Sequence, residues 1–446
     1  MTISELYQKI PDPKKITLDS RNLKKGDIFW ALKGEKFNGN LFADQAIENG
    51  AALVISDSEK NAGKPKVIIV EDTLKALQQF ARRHRRELKL TVLAITGTNG
   101  KTTTKELIAS ILKEKYKTVA TQGNLNNHIG VPLTLLSFDK NTEFGIVEMG
   151  ANHEGEIKHL CEIAEPDYGL ITNIGKAHLE GFGSYEGVIR AKTEMYNYLK
   201  NKQIFVNADN PLLTKHAKHI QTISYGTDPK VDVCGTILSD NPYIKTAITK
   251  PKEFTVNTKL TGRYNFENIM AAVAIGLKFD VPENLISEAL SEYQPKNNRS
   301  QIFDIKNSQI ILDAYNANPS SIRAATENLF AGDKPHAVLF LGDMFELGNY
   351  SQAEHKAVIL DLTEKANHFP DKKVQVFLTG KAFYQAIESS KSVSRPKNIS
   401  FFKFENKQAI CDYLKKLSFT NAQILIKGSR GMAMEEILPC IETQIL

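Results

Sequence analysis

Thr91-Val92-Leu93-Ala94-Ile95-Thr96-Gly97-Thr98-Asn99-Gly100-Lys101-Thr102-Thr103-Thr104 decides how the chain is read. Its first six residues form a short apolar run that stops at a glycine-rich turn, the pattern of a buried strand. After the turn, the sequence predicts a helix from Thr102 to about Lys115. A glycine-rich turn between a strand and a helix is the setting a phosphate loop requires. Glycines let backbone N–H groups converge on phosphate oxygens, and the helix N-terminus adds partial positive charge. In this setting Lys101 reaches the β- and γ-phosphates of ATP, the Thr102 hydroxyl binds Mg²⁺, and Gly97, Thr98, Asn99, Gly100 and Thr103 complete the cradle. The spacing departs from Gly-x-x-x-x-Gly-Lys in that an apolar residue occupies the first glycine position. The bland alternative is a glycine turn with a solvated lysine.

Downstream, strands are expected at 144–148, 168–172 and 203–207, separated by helical segments. Strands alternating with helices indicate a parallel sheet, whose ligands bind at the carboxyl ends of the strands. Glu148 stands at one such end, placed to hold a metal beside the phosphates. His178 follows another, in Asn173-Ile174-Gly175-Lys176-Ala177-His178. Taken singly, Glu148 reads as a surface residue, His178 as a packed or exposed histidine, and Lys192 as a solvated helix lysine. A third unit begins near residue 296, with Asn297-Asn298-Arg299-Ser300 as linker and strands at 310–313, 337–341, 374–378 and 424–427. Upstream, 28–32 and 52–55 read as buried strands. A helix then carries Leu74, Leu77, Ala81, His84 and Leu88 on one face and the run Arg82-Arg83-His84-Arg85-Arg86 on a solvated one.

The 446 residues suggest two to four domains at roughly 100–200 residues each. A net charge of +6 suits anionic small molecules and does not by itself indicate nucleic acid. The four cysteines form no Cys-x-x-Cys pair, so neither a zinc site nor a redox motif is indicated, and a chain of this size needs no disulfide scaffold. Without a signal peptide or an apolar run near eighteen residues, the chain reads as cytoplasmic, without membrane insertion.

In order and spacing, the loop 97–104, Glu148-Met149-Gly150, the segment 173–178 and Lys192 resemble the central domain of the Mur ligases, and the resemblance spans nearly the whole chain. It implies three α/β domains: a small UDP-muramoyl-peptide-binding domain at 1–88, a central P-loop ATPase-like parallel-sheet domain at 89–295, and a C-terminal Rossmann-like domain at 296–446. It also implies that ATP phosphorylates a carboxylate of a UDP-muramoyl peptide and that an amine then displaces phosphate. Under the resemblance, Lys101, His178 and Lys192 are catalytic, and Thr102, Glu148, His178 and Lys192 hold Mg²⁺, Lys192 being the lysine carbamylated in relatives. Asn268 resembles an adenine-contacting asparagine, while Arg299 and Asp313 resemble residues that close over the phosphates and ribose.

Asp19-Ser20-Arg21 with Gly26-Asp27-Ile28-Phe29 resembles the uridine-binding domain of the last two amino-acid-adding members, although Asn38-Gly39-Asn40 stands where Asp-Gly-His is usual. The stretches 123–132, 313–319 and 342–348 resemble the dipeptide-adding branch. The implied substrates are UDP-N-acetylmuramoyl-tripeptide and D-alanyl-D-alanine, contacted by Ser20, Arg21, Asn126, Asn127, Asn316, Asn318 and Lys427, in a monomer. A carboxylate on the dipeptide suits Lys427, Ser429 or Arg430. The competing readings are a ligase adding a single third amino acid and a P-loop regulatory ATPase.

Overall fold

In the computed structural model, which describes residues 1–35 and 37–445, the strand Thr91–Thr96 has five of its six residues buried. It lies inside a nine-stranded sheet whose order is Phe254–Asn257, Lys245–Lys250, Val233–Ser239, Gln221–Gly226, Gln203–Asn207, Tyr168–Ile171, Thr91–Thr96, Phe144–Glu148 and Thr118–Ala120. From Val233–Ser239 onward the neighbours are parallel, so the ends of Thr91–Thr96, Phe144–Glu148 and Tyr168–Ile171 all open on one edge. The helix Lys101–Lys113 packs one face against this sheet through Leu107, Ile108, Ile111 and Leu112 and meets the helix Tyr264–Lys278 on the other side. Each such apolar side chain, fully buried, stabilises the unit by about 1.5–3 kcal/mol. The antiparallel edge, 233–257, was not expected. Its strands are joined by short turns instead of helices and have partly exposed residues, so the alternation that betrays a parallel sheet is missing there.

The expected strands near the N-terminus form Ile28–Trp30 and Leu53–Ser56, inside a four-stranded parallel sheet. At the other end of the chain, Ser308–Asp313, Ala422–Lys427, His336–Gly342, Lys373–Thr379 and Ile399–Phe404 run parallel, with Gln301–Ile305 antiparallel at one edge. The loops following Ser308–Asp313, Ala422–Lys427 and His336–Gly342 therefore emerge side by side. In the connecting segment, Asn297, Asn298 and Ser300 have φ of +58°, +57° and +49°, left-handed values uncommon outside glycine.

Two expectations change here. The basic run is only in part a solvated face: Arg82, Arg83 and Arg86 are exposed, while His84 and Arg85 are buried. Asp72 caps the helix Thr73–Glu87, and at its far end Arg82 and Arg86 both donate to Glu165 at 2.8 Å, while Arg85 donates to Asp167 at 2.8 Å. His84 is buried between Tyr7 and the Phe138 carbonyl. Arg82, Arg85 and Arg86 fasten the first unit to the central one through acids some eighty residues later in the chain, while Arg83 pairs with Glu87 on its own helix. Second, Cys411 and Cys440 are paired as a disulfide, and Cys161 and Cys234 are buried free thiols. A separation of 29 residues carries no short motif, so spacing could not reveal the pair.

Candidate active site

The carboxyl edges of the central and C-terminal sheets face each other across a cavity of about 1220 Å³. Its floor is the glycine loop, and two glycines there are sterically required. Gly97 has φ +143°, and a Cβ would fall 2.0 Å from the Thr172 hydroxyl; Gly100 has φ +77°, and a Cβ would fall 2.6 Å from Asn268 Oδ1. The loop is also held from beside: Thr172 Oγ1 donates to the Asn99 carbonyl at 2.6 Å, and Asn173 Oδ1 accepts from the Asn99 N–H at 3.0 Å. Lys101 Nζ folds over the loop, donating to the Gly97 and Thr98 carbonyls at 2.7 and 3.1 Å. Burial pushes its amine below the usual lysine range, Glu148 opposing and Arg299 adding to the shift.

Glu148 is only 2 % exposed. Its Oε2 accepts from Thr102 Oγ1 at 2.9 Å, its Oε1 from Asn126 Nδ2 at 2.8 Å, and the buried Lys105 ammonium lies 3.6 Å from Oε2. Lys105 had no role in the sequence reading; it sits one helical turn beyond Lys101, so helical spacing would have found it. His178, with φ +50°, has its Nδ1 2.6 Å from Glu346 Oε2 of the C-terminal unit, out of line for a hydrogen bond. Lys192 lies behind the cavity wall, 2 % exposed, its Nζ 3.4 Å from the Ala151 carbonyl and 5.4 Å from the Phe182 ring centroid. Burial first, and the neighbouring Lys101 second, push its amine down to about 7.

This donor set fits Mg²⁺. Among the described residues no three His, Cys, Asp or Glu side chains converge. Mg²⁺ bound with a nucleotide typically takes one or two carboxylates and fills its octahedron with phosphate and water. Glu148 and the Thr102 hydroxyl are oxygen donors of that kind, and the His178 ring nitrogen lines the same cavity.

From the C-terminal side, Asn318 Nδ2 donates to Asn99 Oδ1 at 2.8 Å, Asn99 Nδ2 donates to Ser320 Oγ at 2.9 Å, and Lys176 donates to Glu354 at 2.7 Å. The C-terminal unit thus touches the phosphate loop directly. Arg299 stacks on Tyr315, 3.5 Å from the ring centroid, and Asp313 accepts from Lys427 at 2.5 Å.

Several expected contacts are already engaged within the protein. Asn268 accepts from Thr104 Oγ1 at 2.9 Å and donates to Asn265 Oδ1 at 2.8 Å, bracing the glycine loop. Asn126 holds Glu148, and Asn127 Oδ1 accepts from the Ile129 and Gly130 N–H groups. Asn316 Oδ1 accepts from the Ala317 N–H, and Asn318 caps the helix Pro319–Ala331. Lys427 is tied to Asp313, which leaves no free ammonium for a dipeptide. Ser20 and Arg21 are outside the cavity: Ser20 is buried, and Arg21 is exposed, forked onto Asp19 at 2.9 and 3.0 Å. That guanidinium holds the Asp19 carboxyl down at about 2. Asn40 is buried and bonded to Asn38, Ser56 and Asp57, so the departure at 38–40 builds an internal polar network.

The chain matches three family models: the Mur ligase middle domain over residues 95–276, the Mur ligase glutamate ligase domain over 298–430, and the Mur ligase family catalytic domain over 14–85. It belongs to the Mur ligase family. Within that family it groups with the MurF ligases. It is 36% identical to the UDP-N-acetylmuramoyl-tripeptide--D-alanyl-D-alanine ligase of Bacillus subtilis, over 95% of this chain and 92% of that protein. The MurF structure from Acinetobacter baumannii superposes with a TM-score of 0.84 at 32% identity, covering 96% of this chain and 93% of that one. The MurF ligase of Thermotoga maritima in complex with ADP gives 0.83 at 27% identity, covering 97% and 98%.

Proposed function

We propose that this chain joins D-alanyl-D-alanine to UDP-N-acetylmuramoyl-tripeptide, converting ATP to ADP and phosphate. The observation that carries the reading is the single cavity in which the phosphate loop and Glu148 face Tyr315 and Arg430 of the C-terminal unit. A carboxylate does not acylate an amine, because oxide is a poor leaving group. Its oxygen therefore attacks the γ-phosphorus and ADP departs. The dipeptide nitrogen then attacks the acyl carbon, phosphate leaves and the nitrogen loses a proton. The chain's part is to hold anions in line and offset their charge. The loop N–H groups and Lys101 do this at the phosphates, and Asn268 keeps the loop in shape. Thr102, Glu148, His178 and a carbamylated Lys192 would hold Mg²⁺, which would supply further charge neutralisation when bound. Lys105 and Asn126 position Glu148.

We take 1–88, 89–295 and 296–446 as the three working domains, for the UDP end, ATP and the dipeptide. No described helix is long and apolar enough to cross a membrane; we take the enzyme to act as a monomer in the cytoplasm, in peptidoglycan precursor synthesis, by its likeness to the MurF ligases. Mass analysis of a mixture of protein, ATP, UDP-N-acetylmuramoyl-tripeptide and D-alanyl-D-alanine should show the pentapeptide product. Phosphate release that needs neither substrate would instead mark a simple ATPase. Arg21→Ala should raise KM for the UDP-peptide about tenfold, the scale of one charge-assisted hydrogen bond, and leave KM for ATP unchanged. Steady-state kinetics decides this, and an equal rise in both constants refutes the placement.

A further inference from the structure

The loops after Ser308–Asp313, His336–Gly342 and Ala422–Lys427 bring together three candidates for the dipeptide carboxylate, and their bonding separates them. An ammonium has three protons, and Lys427 Nζ, 2 % exposed, already faces three acceptors: Asp313 Oδ2 at 2.5 Å, the Asn316 carbonyl at 3.2 Å and the Asp313 carbonyl at 3.5 Å. Ser429 Oγ, also buried, accepts from the Phe345 N–H at 2.8 Å and donates toward the Ala317 carbonyl at 3.4 Å. Arg430 differs. Its guanidinium has five N–H donors, is exposed, and makes one polar contact, Nη1 to the Tyr315 hydroxyl at 3.3 Å.

Around Arg430 the walls are aromatic. Its guanidinium carbon lies 5.2 Å from the Tyr315 ring centroid. Phe345 lines the same cavity, 46% exposed, an unusual amount for a large apolar side chain beside so many polar groups. Gly431 gives that ring its room: a Cβ there would come 2.8 Å from Phe345 Cε2. Arg299 shares the Tyr315 ring, 3.5 Å from its centroid, but comes from the connecting segment before the C-terminal sheet, whereas Arg430 stands on the loop whose next residue, Gly431, packs against Phe345. The residue after Phe345, Glu346, touches His178, so the aromatic walls lead toward the central unit. An acceptor with its carboxylate at Arg430 would point its amine along these walls toward the central unit.

We propose that Arg430, backed by Tyr315 and walled by Phe345, binds the carboxylate of the amine substrate, while Lys427 shapes the site through Asp313. This assignment rests on the ligase reading above. The test compares D-alanyl-D-alanine with its C-terminal amide as acceptors, using wild-type protein, Arg430→Ala, Arg430→Lys and Lys427→Met. Loss of one charge-assisted hydrogen-bonded pair corresponds to about 10- to 100-fold in kcat/KM. Wild type should favour the free acid by that factor. Arg430→Ala should lose the preference, falling on the acid and scarcely on the amide, with KM for ATP and for UDP-peptide unchanged; Arg430→Lys should restore part of it. Lys427→Met should keep the preference whatever its overall rate. An Arg430→Ala protein that still prefers the acid as wild type does overturns the assignment alone, as does loss of the preference in Lys427→Met with its retention in Arg430→Ala. Wild-type protein that forms no product from D-alanyl-D-alanine overturns the ligase reading, and the assignment with it.

Discussion

Replacing Lys101 by alanine should lower kcat by about 10³-fold or more, the scale on which a cation aimed at a transferring phosphoryl group acts. The melting temperature of the ligand-free protein should not fall. Both parts follow from the same geometry. Without nucleotide, Lys101 is half-buried and hydrogen-bonded to the Gly97 and Thr98 carbonyls, its charge disfavoured by burial and by Arg299 and favoured by Glu148. Removing an ammonium so poorly solvated costs the resting fold little. In the reaction, charge moves from the γ-phosphoryl group toward the leaving ADP, and a fixed cation in this position stabilises that state more than the ground state. Steady-state phosphate release and a thermal melt measure the two parts. A folded Lys101→Ala protein with turnover within tenfold of wild type would remove the phosphate loop from the mechanism.

Lys192→Ala should be crippled to a similar degree, by about 10²- to 10³-fold, as for loss of one group that stabilises developing charge. Among the described residues Lys192 makes no ion pair; it sits between a carbonyl and an aromatic ring, with Glu156 and Glu194 acting on it only from a distance. Burial and Lys101 lower its amine to about 7, so close to half is neutral at that pH. Only a neutral amine can take up CO₂, its nitrogen bonding to the carbon and a proton leaving, and the product is an anion suited to Mg²⁺. The direction in pH follows. As pH falls through 7 the amine becomes ammonium, so activity should fall and added bicarbonate should restore less of it. ¹³C-bicarbonate should give a carbamate signal with wild type and none with Lys192→Ala, and a short carboxylate such as acetate should partly rescue the variant. Full activity in Lys192→Ala, with no carbamate signal from wild type, sinks the idea.

What could be read along the chain was set by interactions a few residues long. An apolar run, a glycine turn and a helix start are consecutive in 91–104, and their backbone demands are the same in any fold, so the phosphate loop and the parallel sheet around it were legible. Glu148 and His178 could be placed at strand ends for the same reason. The full set of bonds on each polar group could not be read. Arg82, Arg85 and Arg86 look solvated until Glu165 and Asp167 fold against them. Asn268 looks like a ligand contact until Thr104 and Asn265 occupy its amide. Lys427 looks like an anion site until Asp313, 114 residues earlier, neutralises it on the adjacent strand and leaves Arg430 as the free cation of that loop. By itself the sequence determined which backbone segment can bind phosphate and the alternation of strands and helices in the parallel parts of the sheets, though not the antiparallel edge at 233–257. Only the tertiary structure decided which charges remain available to substrates, because a charge is neutralised by whatever group lies within about 4 Å in space, regardless of its distance along the chain.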